Sequence, residues 1–152
     1  HEAIDAARTE ARERRLANVV FEVRDVADLR AEADFDLVTA FGAIHHMARP
    51  AAVLGAIARA LRPGGAFLMQ DVYGTSHVHE DARSNPLAPL LYTVSCLHCM
   101  TVSLAAGGAG LGAMWGAETA RRMLKDAGLA DATLHTLPRD LINLYYVARR
   151  RA

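Results

Sequence analysis

The stretch FDLVTAFGAIHHMARPAAVLGAIARALRPGGAFLMQDV, Phe35 to Val72, decides the fold. DLVTAF, Asp36 to Phe41, is nearly continuous apolar sequence, as suits a strand covered on both faces. Two adjacent histidines, His45 and His46, come after it. Pro50 is well placed at the first turn of a helix, where its missing N–H costs no hydrogen bond. Val53, Leu54, Ile57 and Leu61 then share a core face, with Arg59 and Arg62 outward. RPGG, Arg62 to Gly65, stops the helix, since proline cannot continue it and glycine accepts positive φ. AFLMQDV, Ala66 to Val72, is another strand. Strand, helix and strand joined by short turns are the mark of parallel α/β packing.

Upstream, VVFEVRDV, Val19 to Val26, alternates β-branched and polar residues as a half-buried strand does. His1 to Ala17 is rich in Ala, Glu and Arg and suits a helix, with Ile4, Ala7, Ala11 and Leu16 as a thin apolar stripe. Downstream, GTSHVHEDARSNP, Gly74 to Pro86, is polar and turn-rich and reads as a loop. It leads into an apolar helix over Pro86 to Ala105. A further helix spans about Trp115 to Ala127, turns Ala120, Met123, Leu124 and Ala127 inward and stops at Gly128. Two short strands close the chain, at about 132–137 and 142–149, paired antiparallel across a Pro-Arg-Asp turn.

With 152 residues, 52% of them hydrophobic, the chain can bury one core but not two. Lys+Arg and Asp+Glu number 17 each, and no basic stripe alternates with aromatics, so nucleic acid is not an expected partner. Only two cysteines occur, Cys96 and Cys99. Bridging them would close too short a loop to stabilise much, so a reducing, cytoplasmic compartment is expected. His1 to Arg15 is charged, without the apolar segment of a secretory signal. Pro86 to Ala105 contains prolines and hydroxyls and has no Lys or Arg in its immediate flanks to orient it in a bilayer. It is expected to form a lid or a buried helix rather than a membrane span.

FDLVTAFGAIHHMARP followed by LRPGGAFLMQDV resembles the C-terminal half of a class I S-adenosylmethionine-dependent methyltransferase. LYTVSCLHCMTVSLAAGGAGLGAMWG and the closing NLYYVAR resemble a bacterial group of that family with an N-terminal winged-helix-like domain. The resemblance implies a partial Rossmann-like α/β sheet over 1–152, lacking its first two strands, with a helical insertion at about 75–114. The whole fold would have strand order 3-2-1-4-5-7-6. It also implies S-adenosylmethionine as cofactor and a small-molecule methyl acceptor. The family holds its cofactor chiefly by a glycine-rich loop after the first strand and an acidic residue ending the second, so a longer parent protein is expected. The chain alone is expected to be inactive. The other reading is a non-catalytic dimerisation or regulatory module, and an unpaired apolar sheet edge leaves a homodimer open.

Carried over by position, the resemblance places Asp25 and Val26 at the adenine, where a carboxylate accepts from the amino group. Ala40, Phe41 and Gly42 run beside the methionine part, and His45 stands at the pocket mouth. Asp71 and Tyr73 fall where substrate contacts are common. On the residues alone, His45 and His46 are equally compatible with loop packing. His98, the ionisable group of the apolar run, is either a general base or a core histidine. Tyr92, Met100, Met114 and Trp115 line a substrate pocket or pack in the core. His77, His79, Cys96, His98 and Cys99 match no zinc spacing, and no metal is expected. GGAGLG, Gly107 to Gly112, comes after a helix rather than a strand, which is the wrong setting for a nucleotide-binding glycine loop.

Overall fold

The computed structural model describes residues 2–151. In chain order, the elements begin with helix α1 at Glu2–Glu13, strand β1 at Phe35–Phe41, helix α2 at Pro50–Ala60 and strand β2 at Leu61–Val72. Helices α3 (Val78–Ser84), α4 (Ala88–Val94), α5 (Met100–Ala105) and α6 (Gly116–Asp126) come next, then strands β3 (Leu129–Leu137) and β4 (Asp140–Arg150). The sheet order is β1-β2-β4-β3. β1 and β2 run parallel, with Leu37 opposite Ala66 and Phe41 opposite Gln70. β4 is antiparallel to both β2 and β3. This is the 4-5-7-6 side of the order the resemblance implied, with its closing antiparallel pair.

Alternation along β2 fixes the core. Phe67, Met69 and Asp71 are buried while Ala66, Leu68, Gln70 and Val72 are only partly so, because successive side chains leave opposite faces of the sheet. Against the buried face pack Val53, Leu54 and Ile57 from α2, Ala120 and Leu124 from α6, and Trp115. Each large aliphatic side chain buried there contributes about 1.5–3 kcal/mol relative to exposure. α2 stops at Ala60, so Leu61 starts β2, fully buried, rather than ending the helix face.

Three expectations fail. Val19 to Val26 forms no strand: the segment is irregular and mostly exposed, because no described strand lies beside it to take up its backbone groups. β1 is not covered on both faces: it is the sheet edge, and Phe35, Leu37 and Phe41 are 42%, 56% and 58% exposed. Within the expected loop at Gly74 to Pro86 lies helix α3, carrying Glu80 and Asp81 in its first turn, where acids complement the helix dipole. The expected N-terminal helix is α1, and His1 lies outside the described residues.

The helical insertion between β2 and α6 is a continuous run, Ala88–Ala105, in which a π-helical turn at Ser95–Cys99 separates α4 from α5. It is long and apolar enough to cross a membrane, with mean hydropathy 1.4, and 22% of it is buried. Its inward groups tie it to the domain. Ser103 Oγ donates to Met47 O (3.0 Å), and Ser95 Oγ accepts from Met114 N (3.3 Å). The loop GGAGLG finishes this attachment. Ala109 N donates to Ala48 O (3.0 Å) and Gly110 N to Ser103 Oγ (3.1 Å), while a Cβ on Gly108 would collide with Ala48 Cα and Ser103 O. These glycines let two backbones touch.

The total accessible surface is 9582 Å². A closely packed monomer of this mass would expose about 7,500 Å². Exposed apolar side chains include Phe35, Leu37 and Phe41 of β1 and Leu90, Val94, Leu97 and Leu104 of the insertion.

Candidate functional site

β1 and β2 end side by side, and the loops leaving them meet at the carboxyl ends of the strands. Gly42 leaves β1 with φ +55, with open space where a Cβ would stand. Its N–H donates to Gln70 O of β2 (2.9 Å), which holds the loop against the neighbouring strand. A single 3-10 turn, Ile44–His46, then carries the two histidines. Ile44 is buried in the core and pulls His45 inward with it.

His45 and Asp71 form the polar centre of this end. The Nδ1–H of His45 donates to Oδ1 of Asp71 (2.6 Å), with the side chains 5% and 0% exposed. A carboxylate can only accept here, so this bond selects the tautomer and leaves Nε2 as the free ring nitrogen. Val72 N also donates to Asp71 Oδ1 (2.8 Å), whereas the buried Oδ2 has no partner. Tyr146, buried beside Asp71, has its phenol pushed up by burial and by that negative charge.

The His46 ring lies tilted against His45 with ring centroids 4.2 Å apart, and His98 stands edge-on to His46 at 5.6 Å. Burial, then the neighbouring imidazoles of His45 and His98, hold His46 below the ordinary histidine range. His98 itself is exposed, not the enclosed histidine that its apolar surroundings in sequence suggested. Cys99 of the π-helical turn is buried against this group, while Cys96 is exposed. One nitrogen from each of His45 and His46 and the Cys99 sulfur lie within 4.8 Å of one another. Adjacent histidines can therefore converge, and the thiol arrives from a distant segment that spacing along the chain does not reveal.

An apolar groove of about 470 Å³ runs along β1 and is lined by residues including Val26, Val38, Ala40, Phe41, Ile44 and Met47. The structure thus brings Val26, Ala40 and Phe41 together. Asp25 lies at the same end but is already engaged: it accepts from Ala27 N (2.9 Å) and from Arg49 (3.0 Å), which hold its carboxyl below the usual range.

The remaining candidates disperse. Tyr73 is partly exposed, with its N–H on Ile142 O. The Tyr92 hydroxyl donates to Asp81 Oδ2 (2.8 Å), and burial with that bond pushes its pKa up to about 12. Met100 packs beside Gly112, and Trp115 is a core residue, 6% exposed. No motif in the sequence marks Asp81. It is fully buried and accepts from Thr75 N and Tyr92, which anchors the loop after β2 to the insertion.

A search of curated proteins by sequence finds no match. Solved structures do match in fold. An O-methyltransferase family protein from Burkholderia thailandensis shares 23% identity at TM-score 0.68, over 97% of this chain and 41% of that one. The S-adenosylmethionine-dependent methyltransferase SibL in its apo form shares 19% at TM-score 0.69, over 99% and 41%. The [4+2]-cyclase SpnF shares 17% at TM-score 0.66, over 98% and 62%. The chain therefore spans less than two thirds of each of these proteins, and at such identities they establish the fold alone. A family model described as a methyltransferase domain matches residues 1–128. By that match, which covers most of its length, the chain belongs to the methyltransferase domain family.

Proposed function

We propose that this chain supplies one side of the active site of an S-adenosylmethionine-dependent methyltransferase acting on a small molecule. The supporting observation is the meeting of Gly42, His45 and Asp71 at the carboxyl ends of two parallel strands, beside the apolar groove along β1. Open α/β sheets bind ligands at that end.

The residues present fit part of the cofactor. Val26, Ala40 and Phe41 offer apolar surface for the adenine and thioether, and each Asp25 oxygen retains a lone pair for an amino donor. Neither a strand-borne glycine-rich loop nor an acid placed for the ribose occurs among the described residues. When bound, the cofactor supplies an electrophilic methyl group for in-line displacement. The chain's own part is orientation and exclusion of water. The Gly42 N–H bond and the His45–Asp71 pair hold the loop at the groove mouth, and the insertion closes over it. To His98, exposed on that insertion, we assign the removal of a proton from a hydroxyl or amine acceptor. We read the Ala88–Ala105 helix as this lid rather than a membrane span, supported by its Ser95 and Ser103 anchors. A cytoplasmic parent protein with an N-terminal winged-helix-like domain completes the reading.

The test is calorimetric titration with S-adenosylhomocysteine, with the intact mass of the same sample recorded. Weak or absent binding by a sample of these residues alone, and micromolar binding by a longer protein that includes them, is expected. Absence of binding by the longer protein as well would overturn the reading in favour of a non-catalytic dimerisation or regulatory module.

A further inference from the structure

We infer that His45, His46 and Cys99 form a binding site for a borderline-soft divalent cation of the zinc type, closing the lid insertion onto the loop after β1. The inference is independent of the cofactor reading.

The donor set selects the metal. Two imidazole nitrogens and one thiolate suit zinc and its neighbours, whereas calcium and magnesium require oxygen ligands. The separation is nearly right. Bond lengths of about 2.0–2.3 Å place ligand atoms about 3.3–3.6 Å apart around a tetrahedral ion. The three atoms already lie within 4.8 Å of one another, so a contraction of at most about 1.5 Å brings them to that separation.

Three further observations converge on this site. The Asp71 carboxylate takes the Nδ1–H of His45, which fixes the ring and directs the lone pair of Nε2 away from the carboxylate. That is the carboxylate–histidine arrangement that orients metal-bound imidazoles. Asp71 is also a fully buried acid whose Oδ2 has no partner, and a dication one imidazole away would offset its charge. Lastly, Cys99 closes a π-helical turn, and such turns concentrate at functional positions because they reset the register of the side chains beyond them.

Three protein ligands leave the fourth tetrahedral position to water, as in open zinc sites. Binding converts the Cys99 thiol to thiolate, forms the metal–sulfur bond and releases the proton to solvent. Loop and insertion, now joined by Ser103 and the Gly108 contact, would then be clamped at a second point.

The test is titration of the full chain with cobalt(II) under a phosphine reductant, followed by displacement with zinc. We expect saturation at one equivalent, with a thiolate-to-cobalt charge-transfer band that zinc abolishes. Cys99→Ser should remove the band and Cys96→Ser should keep it. His46→Ala, at a partly exposed position, should weaken binding at least about tenfold, and Asp71→Asn about 10–100-fold. No saturable band at one equivalent, a band that survives Cys99→Ser, or one lost in Cys96→Ser would each overturn the assignment. Unchanged affinity in both His46→Ala and Asp71→Asn would do the same.

Discussion

Nδ1 of His45 and Oδ1 of Asp71 are 2.6 Å apart in a setting where both side chains are almost wholly buried, joining the loop after β1 to the end of β2. Removing one partner of such a pair leaves the other buried and uncompensated. His45→Ala leaves the buried Asp71 carboxylate without this donor and is therefore expected to destabilise the chain by about 3 kcal/mol. Asp71→Asn abolishes the charge while keeping the shape, and should cost less, about 1–3 kcal/mol. Urea melts of the two variants check the order, and an Asp71→Asn loss exceeding that of His45→Ala would contradict it.

Tyr92 holds the fully buried Asp81 from the insertion. Tyr92→Phe leaves Asp81 Oδ2 without that donor and should cost about 1–3 kcal/mol in a thermal or urea melt. Its folded pKa is raised to about 12, first by burial and then by the bond to Asp81. A raised value means that the stabilisation is complete below the ordinary tyrosine range and is lost as pH climbs through about 12. Phenolate absorbance should show a group of late-titrating tyrosines, Tyr145 and Tyr146 among them, that is smaller by one in Tyr92→Phe.

His77 of the loop after β2 meets Glu118 of α6 at 2.8 Å on the surface. The bond to Glu118 pushes the His77 imidazole above the ordinary histidine value, so the charged pair's contribution is present below that value and fades as pH rises through the folded one. The NMR titration midpoint of His77 should fall in Glu118→Gln. The pair is solvent-exposed and salt-screened, so little change in melting temperature accompanies it.

Gly108→Ala should separate the insertion from the loop after β1, because the new methyl meets Ala48 Cα and the Ser103 carbonyl. Backbone atoms cannot yield as a flexible side chain would, and a loss of about 1–3 kcal/mol is expected. Hydrogen exchange should rise first at the amides of Ala109 and Gly110. Exchange rising equally throughout the sheet would mean that the contact is not local.

The parallel unit β1-α2-β2 was legible because Pro50 and the Val53-Leu54-Ile57 face each point to the same local structure, whereas RPGG, expected to stop the helix, lies inside β2 where its register against β1 shifts. Val19 to Val26 misled because alternation marks a segment that can pair, not one whose partner is at hand. Asp71 illustrates the same limit within a correctly read strand. Its parity with Phe67 and Met69 turns it inward, and that parity alone required a buried partner for it. That the partner is His45 depends on the loop crossing from β1, which no periodicity describes. The convergence of Cys99 with the two histidines lies further still from the sequence, since it depends on how the insertion folds back over the sheet.

A sheet finished on one face only also changes how the protein should come apart. Phe35, Leu37 and Phe41 already meet water in the native state, so unfolding transfers less new apolar surface to solvent than 152 residues ordinarily would. The urea m-value should be correspondingly shallow, and the heat-capacity increment should fall below the about 2 kcal/mol/K usual for this length. The free-energy curve flattens with temperature as a result, giving broad melting rather than a sharp one.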